Sequence, residues 1–300
     1  MKPRLLKNLV SRLRKTKVPG FGYSSAYPGG HFYSPVTDPS DLAERENEIW
    51  ADTPLNCLDV AFNDPLHQAI LTEWFPRHMG KYDYPEVCEE PGRFFTRNPM
   101  FSWLDARTLF VFLLECQPRR LIEIGSGYSS LLAADVNHRY LDNTMKFSCI
   151  EPYPRDFLKQ GIPGLGQLHE KRAEKMGLEL FSGLEAGDIL FVDSSHVSRT
   201  GSDVNFIVFE ILPRLAQGVM VHFHDIFLPQ EYPKQWAIDE NRSWNEQYLL
   251  RALLMNSDTW EVMFGCNYAH LTHCPLVARA LNTDESKAPS GSSFWIRKTA

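Results

Sequence analysis

The chain has 300 residues, 43% hydrophobic and 23% charged, with a formal net charge of −6. Those fractions are those of an ordinary globular protein, and the acidic balance argues against a general nucleic-acid binder. No apolar run approaches the ~20 residues needed to span a bilayer. Taken in chain order, Lys2 to Lys17 carry only basic charge, interleaved with Leu5, Leu6, Leu9, Val10 and Leu13 at helical spacing. This predicts a short amphipathic helix docked by its leucines or solvated, and no continuous apolar segment marks it as a secretory signal. Residues 18–40 are rich in Gly, Pro, Ser and aromatic residues and read as irregular. Phe21, Tyr23, Tyr27, Phe32 and Tyr33 there either pack the loop or line a pocket. Short helices are predicted over Asp41–Trp50 and Pro65–His78. Residues 80–101 are again irregular, so 1–100 is expected to form an N-terminal cap on the substrate side, and 101–300 the core.

From Ser102 the rhythm is regular. A helix over Asp105–Glu115 leads to apolar strands at Leu121–Ile124, Lys146–Ile150, Gln167–His169, Ile189–Val192 and Val219–Phe223. Helices are predicted between them at Ser130–Asn137, Pro154–Gln160, Gly177–Leu184 and Asp203–Leu215. A helix at Asn245–Met255 and strands at Trp260–Phe264 and Ser293–Lys298 close the chain. Continuous apolar strands alternating with helices imply an α/β fold, a mostly parallel sheet covered on both faces. The six cysteines form no CxxC pair, and several sit in apolar runs. They are expected to be reduced thiols of a cytoplasmic protein, not a disulfide or zinc framework.

The richest segment is Arg119–Ser130, RRLIEIGSGYSS. A buried strand breaks into Gly125-Ser126-Gly127 and a helix follows at once. Glycines permit unusual backbone angles and close ligand approach, and the free N–H groups of a helix start favour an anionic group. The third glycine of a dinucleotide turn is missing, which disfavours NAD. A flavodoxin- or dehydrogenase-like turn with another ligand is the alternative. Further on, the fourth strand ends Asp193-Ser194-Ser195-His196 and the fifth His222-Phe223-His224-Asp225. Ligands of open α/β sheets sit at the carboxyl ends of the strands. Two carboxylates and several imidazoles at such an end suit a divalent cation or general-base chemistry, with His196 or His224 as the base. His222, one step deeper, reads as a core histidine. The neighbouring serines suggest a hydrolase, but no G-x-S-x-G elbow is present. Trp236, Trp244 and Tyr248 read equally as lid or packing residues.

The stretches IEIGSGYSS, LFVDSSH and VHFHDIFLP, with HFYSP near the start, resemble the class I S-adenosylmethionine-dependent methyltransferases, of the bacterial macrocin and catechol O-methyltransferase type. The resemblance spans roughly Gly30–Lys298. It implies a Rossmann-like sheet of seven strands, the last antiparallel, with S-adenosylmethionine held by Glu123, Gly125, Ser126, Gly127, Tyr128, Ser129, Glu151 and Asp193. Glu123 would help to hold the methionine ammonium, and Glu151 would accept from both ribose hydroxyls. It implies a magnesium-type site at Asp193 and Asp225. The usual amide partner is absent, since Ile226 follows Asp225 and His224 precedes it. The metal set is therefore expected to be Asp193, His224 and Asp225, suited to magnesium or a softer transition metal. The catalytic candidates are His224, His196 and Asp193, acting on a small-molecule hydroxyl or amine. No nucleic-acid partner is expected, and homo-oligomerisation stays open. Two competing readings are a non-haem metal oxygenase or hydrolase using His196, His224 and Asp225, and a cofactor-binding partner protein without catalysis.

Overall fold

The computed structural model describes residues 16–17, 24–51, 57 and 59–300. The basic stretch before Thr16, together with Phe21 and Tyr23, lies outside the described residues. The chain divides into two compact units, residues 1–55 with 230–243, and residues 56–229 with 244–300.

The larger unit carries a seven-stranded sheet. Its strands are β1 (Arg120–Ile124), β2 (Lys146–Ile150), β3 (Gln167–His169), β4 (Ile189–Val192), β5 (Met220–Phe223), β6 (Trp260–Gly265) and β7 (Phe294–Lys298). Their order is β3-β2-β1-β4-β5-β7-β6. All neighbours are parallel except β7, which runs antiparallel to β5 and β6. The expected seven-stranded Rossmann-like sheet is therefore present, with its antiparallel last strand. Strands β4 and β5 are buried at every position. That is why they read as unbroken apolar runs.

The register positions the site. Ile124 pairs with Ile150 and with Val192, and Val192 pairs with Phe223. The residues that follow these four, Gly125, Glu151, Asp193 and His224, therefore fall in one row at the carboxyl edge. Helix α1 (Trp103–Cys116) is buried along most of its length. Helix α2 (Tyr128–Tyr140) starts from the glycine turn, with Gly127 as its cap residue.

Two helices depart from the continuous pattern. The helix from Asp64 widens into a π turn at Ile70–Trp74, and the helix from Asp203 widens at Ile207–Ile211. In each case a proline follows shortly, Pro76 and Pro213. Proline cannot donate the i→i−4 bond and its ring crowds the preceding turn, so a wider turn accommodates it. Two helices between β6 and β7, Cys266–Thr272 and Cys274–Ala280, were not legible in the sequence. Each is only seven residues long.

The N-terminal boundary also differs from the expected residue 100. Ile70, Leu71, Phe75 and Phe94 belong to the same hydrophobic core as α1 and the sheet. Residues 56–100 are thus part of the larger unit. In the irregular stretch after residue 80, Phe94 and Phe101 are buried in that core. In the smaller unit a helix over Pro39–Glu44 is capped by Asp38, whose side chain accepts from Ser40 N–H at 2.9 Å. Trp50 Nε1 donates to Tyr232 O at 2.8 Å, joining its two chain segments. Tyr27, Phe32 and Tyr33 are exposed and cluster around the His31 ring.

Candidate active site

The glycine turn is shaped by one residue above all. Gly125 has φ +78, and a Cβ added there would lie 1.7 Å from the Asp193 carbonyl oxygen. Its N–H donates to Ile150 O at 3.0 Å, while Asp193 N–H donates to Ile124 O at 2.9 Å. The turn is thus wedged between the tips of β2 and β4, where only glycine fits. Gly127 differs: its φ is −171, ordinary extended backbone, and a Cβ there would meet nothing within 4 Å.

Glu123 departs from its expected role. It is 1% exposed, and its carboxyl accepts from Ser129 Oγ at 2.5 Å, Ser130 Oγ at 2.5 Å and Cys149 Sγ at 3.2 Å. Ser130 Oγ also accepts from Gly127 N–H at 3.0 Å. Glu123 and Ser129 therefore bolt the strand to the start of α2 from inside, and neither lines the cleft. Burial pushes the Glu123 carboxyl up to about 7, against the pull of its three donors.

Beyond the turn lies a cleft of about 440 Å³, lined by Gly125, Glu151, Tyr153, Asp193 and Asp203 among others. Glu151 Oε2 accepts from Ser126 N–H at 3.2 Å, and Oε1 from Tyr153 N–H at 2.8 Å. Two backbone amides thus fix this carboxylate at the cleft wall with acceptor capacity to spare. Tyr128 turns its ring to the Arg155 guanidinium, 5.2 Å from the ring centre. Asp203 holds the Ser195 amide at 3.0 Å, and Arg172 and Arg199 complete the far wall. These last residues carried no sequence signal, because they sit on loops without a motif.

Behind the Asp193 wall is a buried ionic cluster. His196, in a left-handed backbone conformation (φ 58), turns its ring inward. Its Nε2 is 3.3 Å from Asp193 Oδ1 and 3.5 Å from Asp225 Oδ2, and its Nδ1 is 2.9 Å from Glu246 Oε2. His224 Nδ1 lies 3.4 Å from Asp225 Oδ1 and 3.7 Å from Asp193 Oδ1, and its Nε2 is 3.6 Å from Asp105 Oδ2. Asp105, at the start of α1, also accepts from Ser292 N–H at 2.8 Å and Ser293 N–H at 2.6 Å. His222 is fully buried, stacked on Phe191, with Nε2 at 2.8 Å from Ser293 Oγ.

This arrangement bears on two sequence expectations. Among the described residues, the set whose donor atoms converge for a cation, within 4.8 Å of one another, is Asp193, His196 and Asp225. His224 is outside that set, although its Nδ1 lies 3.4 Å from Asp225 Oδ1. The surrounding carboxylates favour the charged form of both imidazoles. Burial opposes their charged forms, but hydrogen bonds to Asp193 and Glu246 raise His196 to about 10. The charges of Asp225 and Asp193, with the Asp105 contact, likewise outweigh burial and raise His224 well above the ordinary range. Asp193 is held below the usual carboxylate range, since the two imidazoles outweigh the burial that would raise it.

Comparison with known proteins agrees with this geometry. The family described as a methyltransferase domain matches residues 122–226, from β1 to the loop after β5. That span includes Gly125, Glu151, Asp193, His196, His224 and Asp225. An uncharacterized protein of Archaeoglobus fulgidus is 34% identical over 182 residues, 58% of this chain and 82% of that protein. Among solved structures, the O-methyltransferase TomG of Streptomyces achromogenes, in complex with S-adenosylmethionine and involved in tomaymycin synthesis, aligns at 13% identity and a TM-score of 0.38. The alignment covers 80% of this chain and 92% of TomG. An O-methyltransferase described as putative, from Klebsiella pneumoniae, aligns at 15% identity and 0.37, over 86% of this chain and 97% of its own. At those scores the two likenesses carry no argument about this site. The domain match and the sheet order agree: the segment from β1 to the loop after β5 is similar to the methyltransferase domain family.

Proposed function

We propose that the protein binds S-adenosylmethionine in the 440 Å³ cleft and transfers its methyl group to an oxygen of a small-molecule acceptor, beside a divalent cation held by Asp193, His196 and Asp225. The observation that carries this reading is Asp193. Its side chain lines the cleft, and its Oδ1 also belongs to the ionic cluster, 3.3 Å from His196 Nε2. One residue thus links the cofactor wall to the place where an acceptor would be activated.

Each residue has a task in this reading. Glu151 accepts from the ribose hydroxyls. The side-chain-free turn at Gly125 admits the methionine part, and the first amides of α2 face its carboxylate. Methyl transfer is a direct displacement at a sulfonium carbon, so the protein must align nucleophile, methyl and sulfur and take up one proton from the acceptor. Alignment alone contributes several kcal/mol, up to ~7–11 in ideal cases. The cluster fits a cation by its donor set. Four carboxyl groups, Asp105, Asp193, Asp225 and Glu246, surround two imidazoles, so carboxyl groups outnumber imidazoles even with both charged. Two carboxylates with one imidazole suit magnesium, manganese or a softer divalent ion. Such an ion, when bound, lowers the pKa of an acceptor hydroxyl.

The test is calorimetric titration with S-adenosylhomocysteine and, separately, with Mn²⁺, followed by a methyl-transfer screen over phenolic and sugar hydroxyls. Both ligands should bind, and Asp193→Asn should weaken both. Binding of Mn²⁺ without S-adenosylhomocysteine would favour a metal oxygenase or hydrolase instead. Binding of S-adenosylhomocysteine with no turnover on any acceptor would favour a non-catalytic partner protein.

A further inference from the structure

Glu246 is the first residue of helix α3 (Glu246–Leu254), and an acid there would ordinarily face solvent and the helix dipole. Instead it is 1% exposed. Of its two carboxyl oxygens, Oε2 meets His196 Nδ1 at 2.9 Å, and Oε1 has no hydrogen-bond partner among the described residues. Burying a carboxyl group is costly, and this one has a single side-chain partner to offset the cost. The segment around it converges on the same histidine. The N–H groups of Asn245 and Glu246 both donate to His196 O, at 3.1 and 3.2 Å. Asn245 Oδ1 accepts from Ser198 N–H at 2.6 Å, and the Trp244 ring lies 4.3 Å from the His196 ring.

The geometry points to Glu246 as a positioning residue. By accepting the Nδ1 hydrogen it fixes the orientation of the His196 ring, so that Nε2 faces the gap between Asp193 and Asp225, while Trp244 and Asn245 cradle the ring and its left-handed backbone. Imidazoles that ligate metals are commonly held in this way, with the distal nitrogen on a carboxylate and the proximal nitrogen free for the ion. The assignment deepens the proposed cation site, but the ring's orientation can be read without any ion. It also absorbs Trp244, which packs on the catalytic face of the larger unit and need not be a lid.

The test uses the full chain with Glu246→Gln, which keeps size and an acceptor oxygen, and Glu246→Leu, which removes both. Three measurements are made on each: S-adenosylhomocysteine affinity, Mn²⁺ affinity by calorimetry, and the ring ¹⁵N shifts of His196. In both variants S-adenosylhomocysteine affinity should stay within about twofold, showing an intact neighbouring cleft. Mn²⁺ affinity should fall about 10- to 100-fold, less for Gln than for Leu. The His196 Nδ1 signal, read without Mn²⁺, should move in the same graded order. If the wild type binds no Mn²⁺, the cation reading fails, and the ¹⁵N shifts alone decide the role of Glu246. Unchanged His196 shifts in both variants would overturn it. So would a Glu246→Leu protein that matches wild type in Mn²⁺ affinity.

Discussion

Replacing Gly125 by alanine probes the joint between fold and cofactor cleft. The residue sits at φ +78, and the new Cβ would fall 1.7 Å from the carbonyl oxygen of Asp193. Real Cβ contacts do not fall below about 3 Å, so the tips of β1 and β4 must part by more than about 1 Å. A left-handed conformation costs an alanine about 1–2 kcal/mol, and overpacking against a fixed backbone about 1–3 kcal/mol. The expected loss is therefore about 2–5 kcal/mol. At roughly 2–4 °C per kcal/mol for a unit of this size, Tm should drop roughly 4–20 °C. The displaced turn also carries Ser126, whose amide holds Glu151 at 3.2 Å, so S-adenosylhomocysteine affinity should fall more than about tenfold. Gly127→Ala is the matched control. Its Cβ meets open space on an extended backbone, and it should lose less than about 1 kcal/mol. Urea midpoints and calorimetric titrations on the pair decide the matter. If Gly125→Ala is as stable as Gly127→Ala, the wedge between β2 and β4 is not what fixes this turn.

Glu123→Gln should change the pH dependence of stability. The folded carboxyl titrates at about 7 against 4.5 in the unfolded chain, so its contribution is full below 4.5 and lost as pH rises through 7. The variant should therefore gain about 2–3 kcal/mol on wild type between pH 5 and pH 8, and parallel denaturation curves across that range would contradict this. Glu151→Ala removes acceptors for two hydroxyls, each worth about 1.5–3 kcal/mol, so S-adenosylhomocysteine should bind at least tenfold more weakly, and unchanged affinity would remove Glu151 from the cofactor site. Asp105→Ala strands the buried amides of Ser292 and Ser293 and should cost about 2–4 kcal/mol, seen as a lowered urea midpoint with an unchanged m-value. Asp225→Asn should weaken Mn²⁺ binding while leaving S-adenosylhomocysteine binding near wild type, because Asp225 belongs to the ionic cluster and does not line the cleft.

The sheet was legible because its central strands are buried on both faces and end abruptly in polar residues. Leu121 to Ile124, Ile189 to Val192 and Met220 to Phe223 need no partner information to be recognised. The positions of Glu151 and Asp193 followed from strand ends alone. What stayed hidden depends on contacts far apart in sequence. Glu246 lies 50 residues from His196, and an acid opening a helix reads as an ordinary dipole partner. Asp105 reads the same way at the start of α1. The sequence favours His224 as a metal ligand because it adjoins Asp225, and gives no comparable sign for His196. The left-handed turn at His196, which swings its ring into the cluster, leaves no trace in residue type.

The same comparison explains how the site is assembled. The strand ends line the cleft: Gly125 by having no side chain, Glu151 and Asp193 by carboxylates. Groups that hold those residues come from elsewhere. Ser129 and Ser130 of α2 satisfy Glu123, Asp105 of α1 anchors His224 and the amides before β7, and Glu246 of α3 holds His196. Three helix starts thus supply partners for buried groups beneath the carboxyl edge of the sheet. Removing a strand-end group should therefore cost binding more than folding, and removing a helix-start partner of the backbone should cost folding first. Glu246 is the exception that makes the division testable. It begins a helix, yet its side chain hydrogen-bonds to His196, so under the proposed function its loss should be read at the cation site rather than in the urea midpoint.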